Sequence, residues 1–218
     1  MATAKTAGRK SMATPIGPVS NDAQVMITPP YNVRVKIQGT TDILFHRWSV
    51  EAVEEVSVSP NGRAKKGSVT KKQDYYENYV YRNERGEICI PGEYLRAAIV
   101  QAAKFYQDPR SPRKSASDLF KGGVMSLTPL ASLGTKTWDY LDRRRVVVQR
   151  NAITRIRPAM LAGWQAEFEL SVLLPDYITP RWLNEVIQLA GRVIGIGDFR
   201  PTYGRFAVIG FEVVDALV

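Results

Sequence analysis

The segment Gly195-Ile-Gly-Asp-Phe-Arg200-Pro-Thr-Tyr-Gly204-Arg205-Phe206 carries the residue types that bind a phosphate backbone. Gly195, Gly197 and Gly204 permit positive φ and the close approach of a second backbone, so peptide N–H groups can line a concave anion site. Arg200 and Arg205 offer planar forks that match phosphate, and Phe199, Tyr203 and Phe206 offer faces on which a base or a partner subunit can stack. The segment follows a helix-like run and opens a strand-like one. That order excludes the dinucleotide fingerprint, whose loop follows a strand and opens a helix. An ordinary glycine-rich hairpin or helix C-cap accounts for the same glycines equally well.

Two further stretches are basic. Arg143, Arg144, Arg145, Arg150, Arg155 and Arg157 flank a Val-rich strand pattern and favour phosphate contact over mere solubility. Arg63, Lys65, Lys66, Lys71 and Lys72 lie in a run with no acidic residue, which by itself fits a solvated loop. Over the whole chain, 30 Lys and Arg against 21 Asp and Glu give a net charge of +9, suited to a polyanionic partner. His46 is the only histidine; beside Arg47 and Trp48 it fits a nucleic-acid contact or a structural role. Trp138, Trp164 and Trp182 fit the core or a subunit interface. The single Cys89 excludes an intramolecular disulfide, and no Cys/His cluster has metal-ligand spacing, so the expectation is a cytoplasmic protein without metal or cofactor. No apolar run reaches membrane-spanning length.

The elements that must position these residues follow from periodicity. Residues 1–30 are rich in small and polar types and read as a flexible basic tail, leaving 31–218 as one domain. Val33, Val35 and Ile37 alternate with polar residues as a half-buried strand ending at Gly39. The pattern then breaks up until Tyr79–Arg82 and Glu87–Ile90, which read as a hairpin. A helix runs from about Glu93 to Tyr106, Asp108–Arg113 is a loop, and Ser115–Thr137 shows no sustained period. The Val-rich basic strand comes next, then a strand over Glu167–Leu174, a helix starting at Pro180, and a strand over Arg205–Val214. Strand, helix, strand, strand, helix, strand is the ferredoxin-like α+β arrangement, with a long insertion at about residues 40–90. One sheet face takes the helices. The other is left for nucleic acid or a second protein, as in RNA-binding modules of this topology.

Three stretches in this order resemble the repeat-associated mysterious protein superfamily, specifically the backbone subunits of CRISPR effector complexes. Ile90-Pro-Gly-Glu-Tyr-Leu95-Arg96 resembles their Ile-Pro-Gly-Ser-Ser-Leu-Lys helix start, with Arg96 at the basic place and Glu93-Tyr94 replacing the serine pair. Arg155 to Leu170 resembles their Arg-to-Gly segment leading into a strand, and Gly195 to Phe206 resembles their C-terminal glycine-rich loop, with Thr202 at a place often held by Gly. The resemblance spans roughly Val33 to Val214. It implies a finger or thumb formed by the insertion, to which Arg63–Lys72 would belong, and self-assembly along a guide RNA with other effector subunits.

The family also contains ribonucleases that use an aspartate after the first strand, where a carboxylate promotes attack by the 2′-hydroxyl. Asp42 is the candidate here, with His46 as acid or base, but its apolar context favours a capping or turn role. The reading is therefore an RNA-binding, self-assembling backbone subunit that holds guide RNA for pairing with a target strand, without catalysis of its own. The alternatives are an endoribonuclease using Asp42 and a sequence-independent single-strand DNA-binding protein.

Overall fold

The computed structural model describes residues 28–47, 76–148 and 151–214. The expected tail up to residue 27 and the expected contacts of Trp48, Arg63, Lys65, Lys66, Lys71, Lys72 and Arg150 lie outside the described residues.

In chain order the strands and helices are β1 (Tyr31–Gly39), β2 (Ile43–Leu44), β3 (Tyr81–Arg82), β4 (Ile88–Pro91), α1 (Gly92–Ala102), β5 (Gln107–Asp108), β6 (Ser111–Ser115), α2 (Ser117–Gly123), β7 (Val124–Ser126), β8 (Leu130–Ser132), β9 (Tyr140–Val148), β10 (Asn151–Met160), β11 (Gln165–Val172), α3 (Pro180–Val193) and β12 (Phe206–Val214). A four-stranded antiparallel sheet in the order β12-β1-β11-β7 forms the main layer. Counting only the elements that build this layer and its helical cover, the chain runs β1, α1, β7, β11, α3, β12.

The alternation read from sequence explains the layer. Val33, Val35 and Ile37 of β1, with Phe168 and Leu170 of β11, point one way and are essentially inaccessible to solvent. Leu95 and Ile99 of α1, with Leu183, Val186, Ile187 and Ala190 of α3, close over them. Each such side chain contributes about 1.5–3 kcal/mol by leaving water, so this interface is the main source of stability. Thr179 starts α3 by accepting the Trp182 N–H, and Pro180 takes the first helical position. α1 stops at Ala102 and tightens into a 3₁₀ turn over Ala103–Phe105, so the helix is shorter than its apolar stripe suggested.

One assignment is corrected. The basic Val-rich strand does not belong to the main sheet. It is β9, and its hairpin with β10 joins β2 in a separate three-stranded sheet. The place beside β11 is taken by β7, only three residues long, from a stretch with no readable period. Asp108–Arg113, expected as a loop, contributes to the small β5-β6 hairpin. The expected Tyr79–Ile90 hairpin is present as β3 and β4, extended by β8.

Candidate nucleic-acid interface

The glycine-rich loop begins where α3 ends, with the Gly195 N–H donating to Ala190 O at 2.9 Å. Five further N–H groups bond within the chain. Ile196 donates to Gly204 O, Asp198 to Leu44 O, Tyr203 to Phe199 O, Gly204 to Asp42 O and Arg205 to Thr41 Oγ1. These five donors of the expected phosphate cradle are spent on the chain itself, while the N–H groups of Gly197, Phe199, Arg200 and Thr202 are not among them. The glycines answer a different need. At Gly204, φ is +73° and a Cβ would lie 1.7 Å from Ile196 O; at Gly197, φ is +85° and a Cβ would lie 2.9 Å from Leu44 O. The loop is laced to the segment after β1, so its glycines admit the protein's own backbone.

The β9-β10 register divides the arginines between two faces. Arg157 is opposite Asp142 and Arg155 opposite Arg144, while Arg143 pairs with Ile156 and Arg145 with Thr154. Arg157, only 2% exposed, forms an ion pair with Asp198 and leaves its Nη1 without a hydrogen-bond partner. Arg144 binds Asp142 at 2.8 Å and lies 4.5 Å from the Tyr203 ring centre and 5.3 Å from that of Phe199. These cation–π contacts mean that arginines of the same chain already occupy faces of the loop aromatics. Arg143 and Arg145, in contrast, are exposed and have no acidic partner among the described residues.

Asp42 is committed to structure. One carboxylate oxygen accepts the Tyr140 hydroxyl at 2.7 Å and the other the Ala162 N–H at 2.9 Å. Burial, reinforced by this bond to a carboxylate, pushes the Tyr140 phenol up and keeps it a donor. His46 is half-buried, with its ring 4.8 Å from that of Tyr79 and its Nδ1 buried without a partner. Burial, the first cause, outweighs the pull of Asp198 and, with Arg155 and Arg157, holds the imidazole below its ordinary 6.5. Arg47 lies 5.2 Å over the Tyr81 ring.

Arg96 is engaged within the chain. Its Nε donates to Val124 O and its Nη2 to Lys121 O, with Nη1 near Glu93, so it anchors α1 to the end of α2. Arg200 is exposed and lines a cavity of about 320 Å³ with His46, Tyr94, Ala97, Gly197 and Asp198. Arg205 is exposed, with Nε donating to Pro201 O, and shares another cavity of about 480 Å³ with Arg192 and Gln188. Sequence reading missed Tyr94, Asp198 and Arg192 as parts of these sites; the aromatic replacing a family serine was the available signal for the first. Trp164 is buried with Nε1 donating to Thr41 O, a core role, and Trp138 and Trp182 pack against the core.

The open face of the main sheet also departs from expectation. Arg34 there is encircled by Glu167, Glu169 and Glu212, with salt bridges at 3.5, 3.2 and 3.9 Å. The register sets Lys36 beside Glu167, and no aromatic ring joins them on the outward positions of β1 and β11. A surface with more carboxylates than bases and no stacking platform is unsuited to RNA. Among the described residues no group of three or more His, Cys, Asp or Glu could hold a metal ion, and no helix is long and apolar enough to cross a membrane.

No family model and no curated protein matches the sequence. Among solved structures, a chain of the type III-B Cmr-beta complex bound to cognate target RNA superposes with a TM-score of 0.52 at 12% identity over 86% of this chain. The chain shares its fold with that Cmr-beta chain. It spans 61% of the length of that Cmr-beta chain. Cmr6 from Pyrococcus furiosus also matches, at 11% identity over 83% of this chain and 99% of Cmr6, with a TM-score of 0.43.

Proposed function

We propose that this protein belongs to the repeat-associated mysterious protein superfamily and is an RNA-binding subunit of a CRISPR-type ribonucleoprotein effector complex. In this reading it assembles with copies of itself and with other effector subunits, holds guide RNA for pairing with a target strand, and does not cut RNA itself. The four-stranded layer with its two helices is its ferredoxin-like core, and the segment between β1 and α1 is the insertion.

The observation that carries the proposal is the outward face of β9, where Arg143 and Arg145 stand exposed without acidic partners among the described residues. Two exposed guanidinium groups side by side on one face can pair with phosphates and release their counterions. Asp42, with both oxygens engaged, supports a role in scaffolding over one in cleavage.

Fluorescence anisotropy of labelled single-stranded RNA across a salt series tests this. Replacing both Arg143 and Arg145 with Ala should flatten the logarithmic salt slope by about 1.4, the value for two phosphate contacts on a single strand. An unchanged slope would remove the hairpin from the interface. Equal affinity for DNA of the same sequence would favour the general single-strand binder over a guide-RNA subunit.

A further inference from the structure

The cavity between α1 and the glycine-rich loop is not explained by phosphate binding. Its lining holds two aromatic rings, His46 and Tyr94, together with Ala97, Gly197, Asp198 and Arg200. At about 320 Å³ it falls at the small end of ligand sites. A second cavity of about 410 Å³, lined by Gln101, Val193, Ile194, Phe199 and Pro201, shares Gly197, Asp198 and Arg200 with the first. Arg200 thus lines both cavities.

The chemistry around Arg200 is that of a single-strand site. Asp198 is neutralised by Arg157, so the exposed Arg200 dominates the local charge, and it forms no ion pair among the described residues. The buried Nδ1 of His46 lacks a partner among the described residues, a condition that a ligand able to hydrogen-bond relieves. Tyr94 is partly exposed, and its edge-on contact with Tyr81, 6.1 Å between ring centres, fixes the ring. Flat rings beside a cation make a platform on which a base stacks while its phosphate is held.

We propose that this cavity receives one unstacked nucleobase of the bound RNA, stacked on Tyr94 and hydrogen-bonded near His46, with Arg200 holding the adjoining phosphate. The assignment rests on the RNA-binding reading above and adds a base contact to it. Stacking tolerates every base, so the pocket raises affinity without imposing a sequence.

The test compares a labelled oligouridylate with a strand of equal length and charge whose riboses carry no base. Wild type should bind the oligouridylate at least about fivefold more tightly, the low end for one stacked base. Tyr94→Phe should keep that preference, and Tyr94→Ala should bind both strands alike. Tight, equal binding of both strands by wild type would overturn the pocket and leave the RNA-binding reading intact, whereas binding of neither would overturn both. A preference that survives in Tyr94→Ala would place the base contact elsewhere and overturn the assignment. Should Tyr94→Ala fail to fold, photocrosslinking of wild type to RNA containing 4-thiouridine decides instead: crosslinks at Tyr94 or His46 support the pocket, and crosslinks confined to other segments refute it.

Discussion

Replacing Gly204 with Ala separates a glycine loop that serves the protein's own packing from one that serves a ligand. Gly204 has φ of +73°, where a residue with a Cβ is disfavoured by about 1–2 kcal/mol. The added carbon would also sit 1.7 Å from Ile196 O, far inside contact distance, so the loop must shift. That shift endangers two hydrogen bonds, Ile196 N–H to Gly204 O at 2.9 Å and Gly204 N–H to Asp42 O at 2.7 Å, each worth about 1 kcal/mol. The expected loss is thus about 3–4 kcal/mol, a large part of the roughly 5–15 kcal/mol by which domains are stable. Gly134→Ala is the matched control, with φ of +72° and nothing within 4 Å of the new Cβ, so it incurs only the cost of about 1–2 kcal/mol for the backbone. Urea denaturation at constant m reads the difference as a shift in midpoint. If Gly204→Ala were no more destabilising than Gly134→Ala, yet lost RNA affinity, the scaffold argument would fail and the phosphate cradle would return.

Arg96→Ala should destabilise the fold by about 1–3 kcal/mol, through the Val124 and Lys121 carbonyls it leaves unpaired, while the salt slope of RNA binding stays unchanged; a flatter slope would show that Arg96 meets phosphate. Asp42→Ala should likewise lower stability, and neither it nor wild type should cut bound or complementary RNA with magnesium or manganese present. Regularly spaced products from wild type that vanish in Asp42→Ala would make Asp42 catalytic. Because His46 is held below 6.5 in the folded state, the unfolded chain takes up its proton first, so stability should fall as pH drops through 6.5 towards the folded value. As His46 is the only histidine, His46→Asn should remove that component; a variant with the wild-type pH profile would refute the assignment.

Much of the candidate site was legible as chemistry but not as placement. The basic stretch from Arg143 to Arg157 announced a charged surface, yet only the β9-β10 register shows that Arg157 and Arg144 turn inward to Asp198, Phe199 and Tyr203 while Arg143 and Arg145 face solvent. Tyr94 gave a signal only as a departure from the family's serine. Its cavity with His46 joins residues 48 positions apart in the chain, a proximity no local pattern encodes.

For the fold, the elements whose burial is periodic are legible from local pattern. β1 and β11 alternate, α3 carries an apolar stripe behind Thr179 and Pro180, and each pattern reports one buried face. Tertiary structure alone decided which strand completes the main sheet. β7 has three residues, too few to show a period, and it takes its place because its backbone pairs with β11 and α1 packs beside it. It also decided the purpose of the glycines. A glycine at positive φ states that some backbone must come close, and here the nearby backbone is that of Leu44, Ile196 and Asp42. Local sequence fixes what conformation a residue can adopt; what it meets there depends on contacts distant in the chain.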